Sequence, residues 1–285
     1  MTRSAMANPA ADSAIRRAVP AHAIARWMLS GLLPGFLVQA YAYGPGYAWQ
    51  CMASLTACFA LDVILRMQAG ADAPDPQPLS LAAVALCWLP AALPWWSVLT
   101  TALLTWSIAR AFAHRRGGSP LHPAMIGVSV GLLTTADMSR FAIDPALVLA
   151  TGTAFTLAGI GLAIGRCIRW PVALAAATGA AATVSTWVLL HVPLPDREQL
   201  LGIVPAASVL IFFVATDPSS GCRWPRARIT FGMGAGILAA IAVLALHDVR
   251  RAYAGMAGAV LLMNALAPTL DRLLPLHPPR KAPHP

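Results

Sequence analysis

Residues 204–221 read VPAASVLIFFVATDPSSG. An apolar run closes on an acid and a proline. Pro218 cannot continue a helix, and a carboxylate is costly in an apolar medium, so Asp217 marks a boundary or a working part. Read conservatively, the stretch is a helix stop with Asp217 paired to Arg223, Arg226 or Arg228. Read functionally, Thr216 and Asp217 belong to a site.

Composition favours a membrane around this stretch. Of 285 residues, 58% are hydrophobic and 11% charged, and the mean hydropathy is +0.66. Soluble domains carry about 25% charged residues, so lipid is the expected solvent for most of the chain. The net charge of +9 comes almost wholly from arginines scattered between apolar segments. No basic run is long, which argues against nucleic acid as a partner. Cys51, Cys58, Cys87, Cys167 and Cys222 form no CxxC pair and read as small membrane hydrophobes. The first 26 residues are polar and Arg-bearing, without the apolar core of a cleavable signal peptide.

A spanning helix needs roughly 20 mostly apolar residues. Ten stretches are candidates: 27–43, 47–66, 79–93, 94–112, 123–136, 145–165, 171–191, 200–216, 228–246 and 253–270. The third and fourth are separated only at Leu93-Pro94. The fifth is too short to cross comfortably and suits a half-helix inside protein. Placing both termini in the cytoplasm puts most arginines at cytoplasmic ends, with Arg250 and Arg251 breaking the pattern. The expected fold is therefore an all-α polytopic membrane protein. Residues 1–26 form a cytoplasmic segment, 27–273 the membrane domain and 274–285 a Pro-rich cytoplasmic tail.

Ten spans divide into two sets of five, about 27–136 and 145–273. An odd unit inserts its second copy upside down, the inverted-repeat plan of many transport proteins. LSLAAVALCWLPA at 79–91 echoes VPAASVLIFFVAT at 204–216, and HPAMIGVSVGLL at 122–133 pairs with AVLLMNALAPTL at 259–270.

Polar residues within these spans are the site candidates. Asp62 lies in CFALDVILR, one turn before Arg66; the pair is either a structural i, i+4 bridge or part of a polar path. His122 opens the short fifth span. Asn264 is an amide within the tenth span that needs a hydrogen-bond partner. Thr216 and Asp217 complete the set. No phosphate loop, HExxH or haem-binding CxxCH is present, and no group of residues suggests a metal.

The segments WLPAALPWWSVLTTALLTWSIARAF, SPLHPAMIGVSVGLL, FFVATDPSSG…RITFGMGAGILAAIAVL and AVLLMNALAPTLDRL resemble, in order and spacing, one family. It is the RnfD/NqrB family of membrane subunits. RnfD is the D subunit of the Rnf electron-transport complex, and NqrB is the B subunit of the sodium-translocating NADH:quinone reductase. The resemblance covers most of residues 24–273. It implies ten helices as inverted repeats and service in a flavin-based relay coupling redox chemistry to ion movement. It implies FMN or riboflavin as the cofactor class, redox and membrane subunits as partners, and the bacterial inner membrane as the location.

The sequence departs from that family in one place. Members carry FMN on a Thr of a Ser/Thr-Gly-Ala-Thr-like motif in a long segment before the sixth span. Here that segment is ADMSRFAIDP, residues 136–145, without the motif. Thr134, Thr135 and the Thr151-Gly152-Thr153-Ala154 stretch are poor substitutes, so covalent FMN is not expected. His122 also stands where the family usually has Asn before the Pro. Two other functions stay open: a flavin-free transporter or channel for a small solute, and a scaffold subunit.

Overall fold

Prolines punctuate the chain. Pro45, Pro76, Pro123, Pro145, Pro171, Pro205 and Pro225 each lie at the first or second position of a helix, where the missing N–H costs nothing and the fixed φ suits the first turn. The computed structural model describes residues 21–69, 76–90, 93–113, 119–135, 144–217 and 221–275. Residues 1–20 of the expected N-terminal segment, most of the 136–145 loop, Pro218 and the tail from residue 276 lie outside the described residues.

The helices are α1 (Ala21–Tyr43), α2 (Pro45–Ala69), α3 (Pro76–Trp88), α4 (Trp95–Ala113), α5 (Pro123–Leu133), α6 (Pro145–Ile164) and α7 (Trp170–Leu189). They continue as α8 (Arg197–Gly202), α9 (Val204–Val209), a π-helical turn (Leu210–Val214), α10 (Pro225–Ala245) and α11 (Val249–Leu273). Taking α8, α9 and the π turn as one leg, the described residues form ten helical legs and no strand. Gly44 alone joins α1 to α2, in the left-handed region (φ +85°) that only glycine enters without strain.

The expected ten spans need qualification. Seven described helical segments are long and apolar enough to cross a membrane. With 13 and 11 residues, α3 and α5 measure about 20 and 16 Å, less than a hydrocarbon core of roughly 30 Å. The third and fourth candidates are indeed two helices, α3 ending at Trp88 and α4 beginning at Trp95. Hydroxyl-bearing Ser97, Thr100, Thr101, Thr105 and Ser107 and the basic Arg110 make α4 less apolar than its length suggests.

Burial explains the short helices. Ten of the 13 residues of α3 are buried, with α1, α4, α5, α9 and α2 packed around it. Around the π turn Val209, Leu210, Phe213 and Val214 are buried too. Short helices survive where protein, not lipid, surrounds their ends. The long outer helices instead expose Leu33, Leu37, Phe59, Ile64, Leu157, Ile160 and Leu174, the apolar exterior of a multi-pass membrane protein.

Close helix approach uses glycine. A Cβ on Gly236 of α10 would lie 2.0 Å from the Ala176 carbonyl oxygen of α7, and one on Gly179 of α7 would lie 2.5 Å from that of Met233 of α10. Backbone atoms cannot withdraw, so only glycine permits this α7–α10 crossing.

Candidate functional site

Two chain breaks meet at the end of the bundle where α4 ends and α5 begins. The first is His122, in extended backbone before Pro123 (φ −70°, ψ 114°), its carbonyl accepting from the N–H groups of Met125 and Ile126 in the first turn of α5. The second is the π turn, in which the Ala215 N–H donates to the Leu210 carbonyl at 2.8 Å. The wider turn rotates the downstream residues around the helix axis. The Thr216 hydroxyl donates to the Phe212 carbonyl at 2.6 Å, and Asp217 ends the leg.

There the His122 Nε2 lies 3.3 Å from Asp217 Oδ2. Their side chains are 1% and 5% exposed, so the contact is almost dry. An acid and an imidazole so placed can share a proton or attract a cation, because each changes charge within reach of the other. Arg169, the residue before α7, interacts electrostatically with the same carboxylate. Much of Arg169 is exposed, yet partial burial pushes its guanidinium below the ordinary value, and Asp217 opposes that shift.

Asp217 also lines a small open cleft, together with Arg169, Cys222 and Arg228. The Arg228 Nε donates to the Cys222 carbonyl at 2.6 Å. The Arg223 and Trp224 N–H groups donate to the Asp271 carboxylate at 2.9 and 3.2 Å, fixing the start of α10 to the end of α11.

The sequence candidates thus separate. His122, Thr216 and Asp217 come together. Asp62 instead accepts from Arg66 Nε at 2.5 Å and from Arg110 Nη1 at 2.5 Å, tying α2 to α4. Arg110 also lies over the Trp106 ring, 5.7 Å from its centroid. Asn264 is buried in α11, which packs on α5 and α10. Sequence reasoning named Arg66 but missed Arg110, which lies on another helix. It also missed Arg169 and the anchoring role of Asp271. Nothing in their local spacing signals these contacts; Arg169 beside Pro171 reads as an ordinary boundary arginine.

The described residues do not fit a covalently attached flavin. The Thr134 hydroxyl bonds the Gly131 carbonyl at 2.9 Å. Thr135 is buried and bonds the Leu132 carbonyl at 3.1 Å. Thr151 is buried and bonds the Leu147 carbonyl at 2.9 Å. Nor does the cleft enclose a flavin ring: the space inside it, about 10 Å³, is far below the roughly 300–1,000 Å³ of pockets that bury such ligands.

A polytopic helical membrane protein with paired broken helices is the class these observations define. The chain matches the NQR2, RnfD, RnfE family over residues 10–150 and 143–277, and it belongs to that family. Similar proteins include the D subunits of the ion-translocating oxidoreductase complexes of Pseudomonas aeruginosa (strain LESB58), Tolumonas auensis and Yersinia pestis. Each is 26% identical. The alignments cover 87%, 87% and 84% of this chain and 89%, 92% and 88% of the relative. For the Pseudomonas protein, 87% of this chain is about 248 residues in an alignment of 313 positions, so about 65 positions have no residue here.

Proposed function

We propose that this chain is a membrane subunit of an ion-translocating, electron-transport complex, with His122 and Asp217 at the cytoplasmic mouth of its polar path. The observation that carries the site is the buried 3.3 Å contact between them. The names of the relatives, each the D subunit of an ion-translocating oxidoreductase complex, support the function. Its partners are then redox and membrane subunits of one assembly, in the inner membrane of a bacterium.

Helix packing supports the inverted repeat. Within residues 21–133, α1 packs on α3, α2 on α4 and α4 on α5; within 145–273, α6 packs on α8 and α9, α7 on α10 and α10 on α11. Between halves like meets like: α1 on α6, α3 on α9 and α5 on α11. Arginine placement supports cytoplasmic termini, since Arg66, Arg110, Arg166, Arg169, Arg223, Arg226, Arg228 and Arg272 all fall at ends assigned to that side.

The family match falls into two pieces that meet at residues 143–150, beside the shortened loop. That junction, with the unmatched positions of the relatives, supports loss of the attachment segment between α5 and α6. On this reading the chain holds no covalent FMN, and any flavin near Asp217 is noncovalent and shared with neighbouring subunits.

The test is ion uptake by inverted vesicles carrying the complex with Asp217→Asn, driven by the electron donor that supports uptake by wild-type vesicles. Uptake of sodium or protons should fall at least tenfold while the amount of assembled complex holds. Wild-type uptake by Asp217→Asn would remove Asp217 from the path.

A further inference from the structure

The end of the eighth leg carries one residue more than the placing of Asp217 requires. Between Leu210 and Asp217 its backbone ladder changes spacing repeatedly. The Leu210 N–H is shared between the Ala206 and Ala207 carbonyls. The Ala215 N–H reaches back five residues to Leu210, and the Asp217 N–H only three, to Val214. A π turn is an α-helix with one residue inserted, and it sits at functional sites more often than chance allows. A leg one residue shorter would set Asp217 opposite His122 with a regular ladder, so placement alone does not account for the extra residue.

Packing fixes the chain on either side of this point. Phe212 fills a notch at Gly159 of α6, where an added Cβ would lie 2.3 Å from its ring. Phe213 meets Phe155 edge-on, ring centroids 6.3 Å apart, and its ring lies 3.3 Å from the place of a Cβ on Gly31 of α1. Further along, the start of α10 is anchored by the Arg228 bond to the Cys222 carbonyl and by Asp271. Between these anchors lie Thr216, whose hydroxyl bonds the Phe212 carbonyl, and Asp217, whose side chain meets His122.

We propose that the π turn is a one-residue slip that exchanges Thr216 for Asp217 opposite His122. In the slip the Ala215 N–H moves from the Leu210 carbonyl to that of Ile211, and the turn recovers α-helical spacing. Residues 215–217 then advance by about 1.5 Å and about 100° around the helix axis. Thr216 takes the place opposite His122, and the Asp217 carboxylate leaves the imidazole. A hydroxyl and an imidazole still hydrogen-bond, so the second state leaves His122 with a partner. An ion taken up at Asp217 competes with His122 for the carboxylate and favours the slip; release of the ion restores the turn. The switch rests on the reading of His122 and Asp217 as the mouth of the ion path, and it gives that mouth two states.

The test is amide hydrogen exchange of the full-length protein in detergent, which reports local opening. Mass spectrometry reads residues 210–217 and, as a reference, the largely buried stretch 235–243 of α10. A companion variant lacks Ile211, a partly buried residue of the turn. Its leg has no residue to slip, while Asp217 keeps its place. The expected result is exchange at least tenfold faster in 210–217 than in the reference stretch of the wild type. Deletion of Ile211 should slow it to the reference rate and cut ion uptake by the complex at least tenfold. Wild-type exchange as slow as the reference overturns the slip, and that reading needs no variant to fold. Fast exchange that survives the deletion is fraying of the helix end and overturns it too, as does wild-type uptake by the deletion variant. Full uptake by Asp217→Asn would instead remove the mouth itself, an outcome separate from the exchange rates.

Discussion

His122 Nε2 and Asp217 Oδ2 stand 3.3 Å apart, joining the start of α5 to the end of the π turn. Each residue reaches this point through a local break, an extended residue before a proline in one case and a widened turn in the other. His122 can both donate and accept, as an amide does. His122→Asn should therefore retain ion uptake within about threefold of wild type, whereas His122→Leu, which leaves the buried Asp217 carboxylate without its polar neighbour, should lose it at least tenfold. Equal activity of the two variants in vesicles would remove the polar role of His122.

Asp62 is expected to hold structure. Its carboxylate is shared by Arg66 and Arg110, whose side chains are 18% and 26% exposed. Breaking a buried ion pair costs roughly 3–5 kcal/mol and an exposed one under about 1 kcal/mol. Asp62→Asn should lower stability by about 2 kcal/mol, between those limits. Thermal unfolding in detergent should show that loss, and Asp62→Asn combined with Arg110→Gln should destabilise by less than the sum of the two. Redox-driven uptake per assembled complex should be unchanged. Strict additivity would show that the two side chains do not interact.

The α7–α10 crossing makes a sharper stability contrast. Gly236→Val places side-chain atoms against the Ala176 backbone and should destabilise by about 3 kcal/mol, the upper range for overpacking. Gly258→Ala has open space around its added carbon and should be neutral or slightly stabilising, since alanine favours helix. Parallel melting curves of the two variants check this, and comparable losses would contradict the observed helix spacing.

Cys222 should be a slow nucleophile. Burial pushes its thiol up to about 11 from an ordinary value of 9.0, which lowers the thiolate fraction at neutral pH by about a hundredfold. Maleimide labelling at pH 7.5, followed by peptide mass spectrometry, should modify the partly exposed Cys167 first. Raising the pH from 7.5 to 9 should accelerate Cys222 by about thirtyfold, because the whole range lies below its pKa, whereas a thiol with the ordinary value of 9.0 begins to level off there. Faster labelling of Cys222 than of Cys167 at pH 7.5 would contradict its burial.

Much of the fold was legible because lipid imposes a simple rule: apolar runs of sufficient length become helices. The Leu93-Pro94 division and the short helix after His122 followed from proline chemistry alone. Sequence did not reveal that the third leg is shorter still, nor the π turn, because a π turn differs from an α-helix by one residue's spacing and Leu210–Val214 is apolar throughout. At the site, Asp217 and His122 could be singled out separately as polar groups in apolar surroundings. Their meeting depends on how α5 and the eighth leg approach in space, which no local pattern encodes. The pairing of Asp217 with Arg223, Arg226 or Arg228 was the conservative expectation; the Arg223 backbone N–H bonds Asp271, and Arg169, on another leg, interacts electrostatically with Asp217.

The most direct test of the central claim is isolation of the tagged chain from its native membranes in mild detergent. The copurifying polypeptides are identified, and the visible spectrum is recorded before and after acid precipitation. The account predicts copurifying redox subunits carrying flavin or iron–sulfur absorption, with no yellow colour remaining on this precipitated chain. A colourless chain isolated without redox partners would contradict the electron-transport assignment, and flavin fixed to this polypeptide would contradict the loss of its attachment segment.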